Sequence, residues 1–142
     1  MTRILGIDYG KVITGLSITD PLQKFAFGLN AIPTKNLMSF LAILIDKKPI
    51  KKIVIGLPKT LNNKNALIEK SIQYFISKFH KKNPKIRIER IDERFTSKIA
   101  FYTMIELGLK KKKRRQKGLI NKISATIILQ SYLTKNEKKI NL

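Results

Sequence analysis

A chain of 142 residues is the size of one domain with a core of its own. It has no cysteine, which excludes disulfides and thiolate metal sites and fits a reducing cytoplasm. Thirty Lys and Arg against nine Asp and Glu give a net charge of +21, which implies a polyanionic partner such as nucleic acid or an anionic membrane surface.

Met1-Thr2-Arg3 leads straight into an apolar run with no leader-like apolar stretch before it, so no secretory signal is expected. That run, residues 3–9, reads as a buried strand and carries Asp8 within Ile4-Leu5-Gly6-Ile7-Asp8-Tyr9-Gly10. Burying an isolated carboxylate is costly unless it is paired, protonated or bound to a metal, so Asp8 is either at the mouth of a site or held by a cation. A tight turn at Gly10-Lys11 leads to a second strand over 12–19. Asp20-Pro21 breaks the pattern, because Pro disfavours the helical region for the residue before it. A third β-compatible run covers 24–32, and three strands joined by short turns predict an antiparallel meander.

The pattern then changes. Leu37, Phe40, Leu41, Leu44 and Ile45 recur at helical spacing over 36–47. Residues 52–57 are a short continuous apolar run typical of a parallel strand, ended by Pro58. Ile68, Ile72, Phe75, Ile76 and Phe79 predict a helix over 64–82, and residues 86–91 alternate as a strand. Thr96 or Ser97 is a candidate cap for a helix through Leu107, with Gly108 just past its end. A basic run follows over 110–117. A last helix is expected from about Leu119 to Leu133, with a polar, frayed tail from Thr134. No run of about 18 apolar residues is present, so no transmembrane helix is expected. The order β-β-β-α-β-α-β-α-α predicts one mixed-sheet α/β domain over 1–134 with a polar tail over 135–142.

Nine acidic residues are few enough to sort individually. Asp46, Glu69, Glu106 and Glu137 fall on helices or the tail and read as solvated surface charges. Glu89 alternates outward on its strand, and Asp20 reads as a turn residue. Asp8, Asp92 and Glu93 remain. Neighbouring strand residues face opposite sides, so Asp92 and Glu93 both reach one site only if their strand has already ended. Otherwise one is catalytic and the other structural. Arg94 can pair with either carboxylate or with a phosphate. Carboxylates without His or Cys partners suit hard cations with oxygen ligands, Mg²⁺ or Mn²⁺. Beside a basic surface, such a site suggests metal-assisted phosphodiester hydrolysis. Zinc is disfavoured, since the lone histidine is His80 at a helix end. No Gly-x-Ser-x-Gly elbow or Walker loop is present.

Four blocks, in order, resemble the YqgF (RuvX) family of RNase H-like proteins. They are Gly6-Ile7-Asp8-Tyr9-Gly10 with Gly15-Leu16 and Thr19-Asp20; Ile55-Gly56-Leu57-Pro58; Asp92-Glu93-Arg94-Phe95-Thr96-Ser97; and Lys117-Gly118 through Ser124-Ala125 to Leu133. The resemblance implies an RNase H-like five-stranded sheet in the order 3-2-1-4-5, its first three strands antiparallel, with helices on both faces. It implies a cytoplasmic nuclease that matures the 5′ end of the precursor of 16S ribosomal RNA. An older reading of the family is a Holliday-junction resolvase. By this pattern Asp8 and Glu93 are the metal ligands and Asp92 is auxiliary.

The third carboxylate of the pattern, early in the last helix, is here Asn121, which keeps the shape and one carbonyl oxygen but loses the charge. At Ile13, the family pattern usually has a basic residue. These departures leave a catalytically weakened, RNA-binding assembly factor as a further alternative. Lys11, Arg94, Lys110, Lys111, Lys112, Lys113, Arg114, Arg115 and Lys117 are the expected backbone-gripping residues. The chain is expected to act on pre-16S rRNA, or on structured DNA, as a monomer or weak homodimer, without a membrane. Part of the +21 charge is expected to be compositional drift, because the chain is rich in Lys, Ile and Asn together.

Overall fold

Five strands form one sheet in the order β3-β2-β1-β4-β5 in the computed structural model, which describes residues 2–58, 62–92 and 117–140. The strands are β1 (Arg3–Asp8), β2 (Ile13–Thr19), β3 (Ala26–Pro33), β4 (Ile50–Leu57) and β5 (Arg87–Asp92). β1–β2 and β2–β3 are antiparallel, and β1–β4 and β4–β5 are parallel. The element order predicts the mixed sheet with its antiparallel half, and the family resemblance implies this strand order. The helices are α1 (Leu37–Lys47), α2 (Asn63–Lys82) and α3 (Lys117–Ile140), and a 3₁₀ turn at Thr34–Asn36 precedes α1. Asn62 caps α2 by accepting the amide of Asn65 at 2.8 Å. The helix expected over 96–107 lies outside the described residues.

The period of two assigns the faces. Leu5 and Ile7 of β1, Leu16 and Ile18 of β2, and Ile53 and Ile55 of β4 form one core with Leu37, Leu41 and Leu44 of α1 and Ile72, Phe75 and Phe79 of α2. Ile4 and Val54 point the other way and pack under Ile128, Leu129 and Tyr132 of α3. Fully burying each such Leu, Ile or Phe stabilises the fold by about 1.5–3 kcal/mol.

α3 crosses the sheet at very close range. A Cβ on Gly6 would fall on Ser17 Oγ and lie 2.9 Å from Leu129 Cβ. Ser17 Oγ donates to the carbonyl of Ala125 at 2.7 Å, tying β2 to the helix. Ser124 and Ala125 are both buried at this crossing, which explains why small residues stand there. α3 also continues past the expected end at Leu133 to Ile140. No Gly or Pro interrupts Thr134 to Ile140, and the Lys and Glu there are straight-chain residues that sustain a helix.

Candidate active site at the end of the central strand

Asp8 is the last residue of β1, the central strand, and is half-buried. Its cross-strand partner is Gly15 of β2, so both lie on the α3 face. Gly15 is covered by the first turns of α3: a Cβ there would collide with the carbonyl of Asn121. The pair Asp8–Gly15 therefore sets Asn121 against the sheet beside Asp8. Asn121 Nδ2 donates to the carbonyl of Ile13 at 3.2 Å, which leaves its Oδ1 as the oxygen available to a ligand. Ile13 thus serves this corner through its backbone, although its side chain cannot contact phosphate.

The loop between Asp8 and Ile13 is clamped by a residue that sequence reading missed. Thr34 Oγ1 donates to the carbonyl of Gly10 at 2.7 Å, and the Thr34 amide donates to the carbonyl of Val12 at 2.8 Å. With that proton committed, Thr14 Oγ1 is the donor in its 2.8 Å contact with Thr34 Oγ1. The one available signal was Pro33-Thr34 at a strand end, a common setting for hydroxyl-backbone bonds. Lys11 is exposed on this clamped loop, next to the Asp8–Asn121 corner. Tyr9, by contrast, turns to the other face and packs on Phe75, where burial raises its phenol pKa.

Asp92 is not brought to that corner. β5 stays a strand through Asp92, and its register with Leu57 puts it on the α2 face, two strands or about 10 Å from β1. Glu93, Arg94 and Lys110 to Arg115 lie outside the described residues, as does the side chain of Lys117. Leu57, at the end of β4, is exposed on the same edge of the sheet.

Two residues expected on the surface are instead part of internal pairs. Glu69 of α2 receives Arg90 Nη1 at 2.9 Å and Nη2 at 2.7 Å. Arg90 also donates to the carbonyls of Ile55 and Gly56, fastening α2 to the end of β4. Glu89 faces α3 and pairs with Lys52 at 3.4 Å, while Lys52 donates to Tyr132 Oη at 2.6 Å. Alternation alone missed these because the partners come from other elements, Lys52 from the neighbouring strand β4 and Arg90 from the strand that α2 covers.

The Arg90 hydrogen bond is the largest influence on the Glu69 carboxyl and lowers its pKa, with Gln73 assisting and desolvation opposing. A lowered folded-state pKa gives stability that is fully present above the ordinary Glu value of about 4.3 and is lost as pH falls through the folded value. Glu69→Gln is therefore expected to lower stability at pH 7 by about 1–2 kcal/mol, moderated by partial solvent screening. Urea melts should show the gap from wild type narrowing below about pH 4. An equal gap at pH 3 and pH 7 would exclude the ion pair as its source.

The donors at the Asp8 corner are all oxygens, the set a hard divalent cation prefers. Among the described residues no group of three His, Cys, Asp or Glu could hold a metal ion, so a complete site needs a further ligand. No helix among the described residues is long and apolar enough to cross a membrane.

Residues 2–135 match the RuvX family, described as Holliday junction resolvase. The chain belongs to the RuvX family. Bacterial relatives of the chain carry the name "Putative pre-16S rRNA nuclease", the following three among them. The one from Bacteroides thetaiotaomicron is 47% identical, covering 94% of this chain and 96% of the relative. The one from Phocaeicola vulgatus is 48% identical with the same coverage. The one from Flavobacterium psychrophilum is 48% identical, covering 95% and 98%. The fold also matches solved structures of more distant proteins. RuvC of T. thermophilus in complex with a Holliday junction substrate superposes with a TM-score of 0.58 at 14% identity, covering 96% of each chain. Fowlpox virus resolvase in complex with Holliday junction DNA gives 0.56 at 14% identity, covering 95% of this chain and 99% of that one. At that identity these two establish the fold that this RuvX chain shares with them.

Proposed function

We propose that this protein is a divalent-metal-dependent nuclease that processes the 5′ end of pre-16S rRNA in the cytoplasm. The observation that carries the reading is the convergence of Asp8 and Asn121. The half-buried strand-end carboxylate faces the same corner as a side-chain amide whose Nδ2 is already held by Ile13. The family membership and the names of close relatives support the substrate class.

Asp8 and Asn121 Oδ1 would hold Mg²⁺ or Mn²⁺, with Glu93, the residue after Asp92, as the second carboxylate. When bound, such a cation lowers the pKa of its water and stabilises charge developing on the phosphate. Asp8 supplies negative charge at a position fixed by the central strand. Asn121 presents a neutral oxygen from a helix wedged against Gly15. Thr34 keeps the Gly10–Val12 loop from moving away from Asp8. Asp92, on the opposite face, is a structural or orienting residue. Lys11, Arg94 and the basic residues of 110–117 hold the nucleic-acid backbone without reading sequence.

The deciding measurement is cleavage of a labelled pre-16S 5′ leader with Mg²⁺, Mn²⁺ or EDTA, beside a four-way DNA junction. Metal-dependent cutting of the leader is the expected result. Cutting of the junction alone, by a two-fold symmetric dimer, would make the protein a resolvase. Binding without cutting would make it an assembly factor.

Asn121→Asp tests the neutral ligand. Without metal it should lower stability by about 1 kcal/mol, since the bond to the Ile13 carbonyl becomes an oxygen–oxygen contact. With Mn²⁺ it should bind metal about tenfold more tightly, an order-of-magnitude expectation for adding one nearby charge, and cut faster. Calorimetric titration and melting curves with and without Mn²⁺ measure both effects. No gain in affinity or rate would remove Asn121 from the ligand set.

A further inference from the structure

On the α3 side, at the end of the sheet opposite Asp8, a cleft of about 620 Å³ opens between Leu22, Lys24 and Phe25 of the β2–β3 loop, Lys51 and Lys52 of β4, and Leu133 of α3. It also touches Ile4, four residues before Asp8 and so about 13 Å away along β1. Between the two ends, α3 lies directly on Gly6.

The wall of the cleft is rigid and its surface chemistry is mixed. The Asp20 carboxylate accepts the amides of Leu22 at 3.1 Å, Lys24 at 2.9 Å and Phe25 at 2.7 Å. Gln23 holds a left-handed conformation, φ 58°, and its side-chain amide donates to the Thr2 carbonyl at 2.9 Å. The loop is thus fixed before any ligand arrives, which limits the ordering cost of binding. It holds Leu22 and Phe25 outward, each 62% exposed. The nearby carboxylates are already engaged: Asp20 by three amides and Glu89 by Lys52. Lys24 and Lys51 are exposed, and neither is in an ion pair among the described residues.

An exposed aromatic ring in one cleft with cations that form no ion pair among the described residues fits a ligand that joins a flat ring to an anion. A nucleotide of a single strand has this chemistry, with an unstacked base for the ring and a phosphate for the lysines. A duplex does not, because its bases are already stacked. We propose that this cleft binds a single-stranded segment of RNA, with a base against Phe25 and phosphate between Lys24 and Lys51, as a docking site separate from the Asp8 corner. This rests on reading RNA as the substrate, but not on catalysis.

The test is fluorescence anisotropy of a labelled single-stranded oligoribonucleotide in EDTA, so that loss of nuclease activity cannot affect it. Phe25→Ala should weaken binding roughly 5- to 150-fold, the range for removing one stacking platform. Lys24→Glu with Lys51→Glu should weaken it more than Lys81→Glu with Lys82→Glu, an equal charge change at the far end of α2. It should also reduce the steepness of the log affinity against log salt plot by about 1.4, or two phosphates on a single strand. All these side chains are exposed, so the melting temperature should not move. With active protein, KM for a long leader should rise at unchanged kcat, and a substrate too short to span about 13 Å should be unaffected. Phe25→Ala binding like wild type would overturn the proposal, as would equal losses from the two lysine pairs. Polyglutamate that binds as tightly as RNA, with Phe25→Ala changing neither, would assign the cleft to an acidic peptide instead.

Discussion

Asp8→Asn should reduce cleavage of the pre-16S leader by about 10³-fold, the scale for losing a group that stabilises transition-state charge. The substitution keeps the shape of the side chain and removes its charge. Asp8 is the last residue of β1, where the core residues Leu5 and Ile7 fix the backbone from the opposite face. The strand should therefore survive the change, and circular dichroism melting should stay within a few degrees of wild type. The two readouts separate chemistry from folding. With Asn121 neutral, the variant would leave neither proposed ligand among the described residues as an anion, so excess Mn²⁺ should restore little of the rate. Equal rates for wild type and variant at saturating Mn²⁺ would mean that the observed cleavage does not arise at this corner.

Gly15→Val carries the largest expected effect on stability. The side chain would have to occupy space already filled by the carbonyl of Asn121 and the amide of Lys122. Backbone cannot rotate out of the way as a flexible side chain can, so α3 must lift from β2. Such overpacking costs about 1–3 kcal/mol where a core adjusts, and the contact here is with a helix end that also carries Asn121. The melting temperature is expected to fall by roughly 4–10 °C, and activity should fall further than stability because Asn121 moves with the helix. Lys122→Ala is the matched control, since it trims a side chain from the same helix end without touching its backbone. If Gly15→Val melts like wild type and retains its rate, the close approach of α3 to β2 does not position the site.

Much of this chain was legible from its sequence for simple physical reasons. Apolar runs bounded by turn residues placed β1 to β4, alternation placed β5, and the 3.6-residue period placed α1 and α2, whose apolar faces enter one continuous core. Asp8 stood out because a carboxylate is costly in an apolar strand. Asp20 was legible as a turn residue because its carboxylate accepts amides only a few positions away. Long-range partners were not legible. Nothing local in Glu69 or Glu89 announces Arg90 or Lys52, and nothing in Thr34 announces Gly10, since each bond spans strands or helices joined only by the fold.

The sequence by itself determined a mixed sheet, through its β-β-β-α-β-α-β succession, and the scarcity of nitrogen and sulfur ligands, through the absence of Cys and its single His; the strand order and the reading of Asn121 as a neutral substitute came with the family resemblance. Only the tertiary structure decided which of these residues meet. Register puts Asp8 opposite Gly15 and Asp92 on the other face, and the missing Cβ of Gly15 lets α3 press Asn121 into the same corner. A one-residue shift in register would exchange the faces and separate the pair, so the meeting of Asp8 and Asn121 depends on packing that no local pattern records.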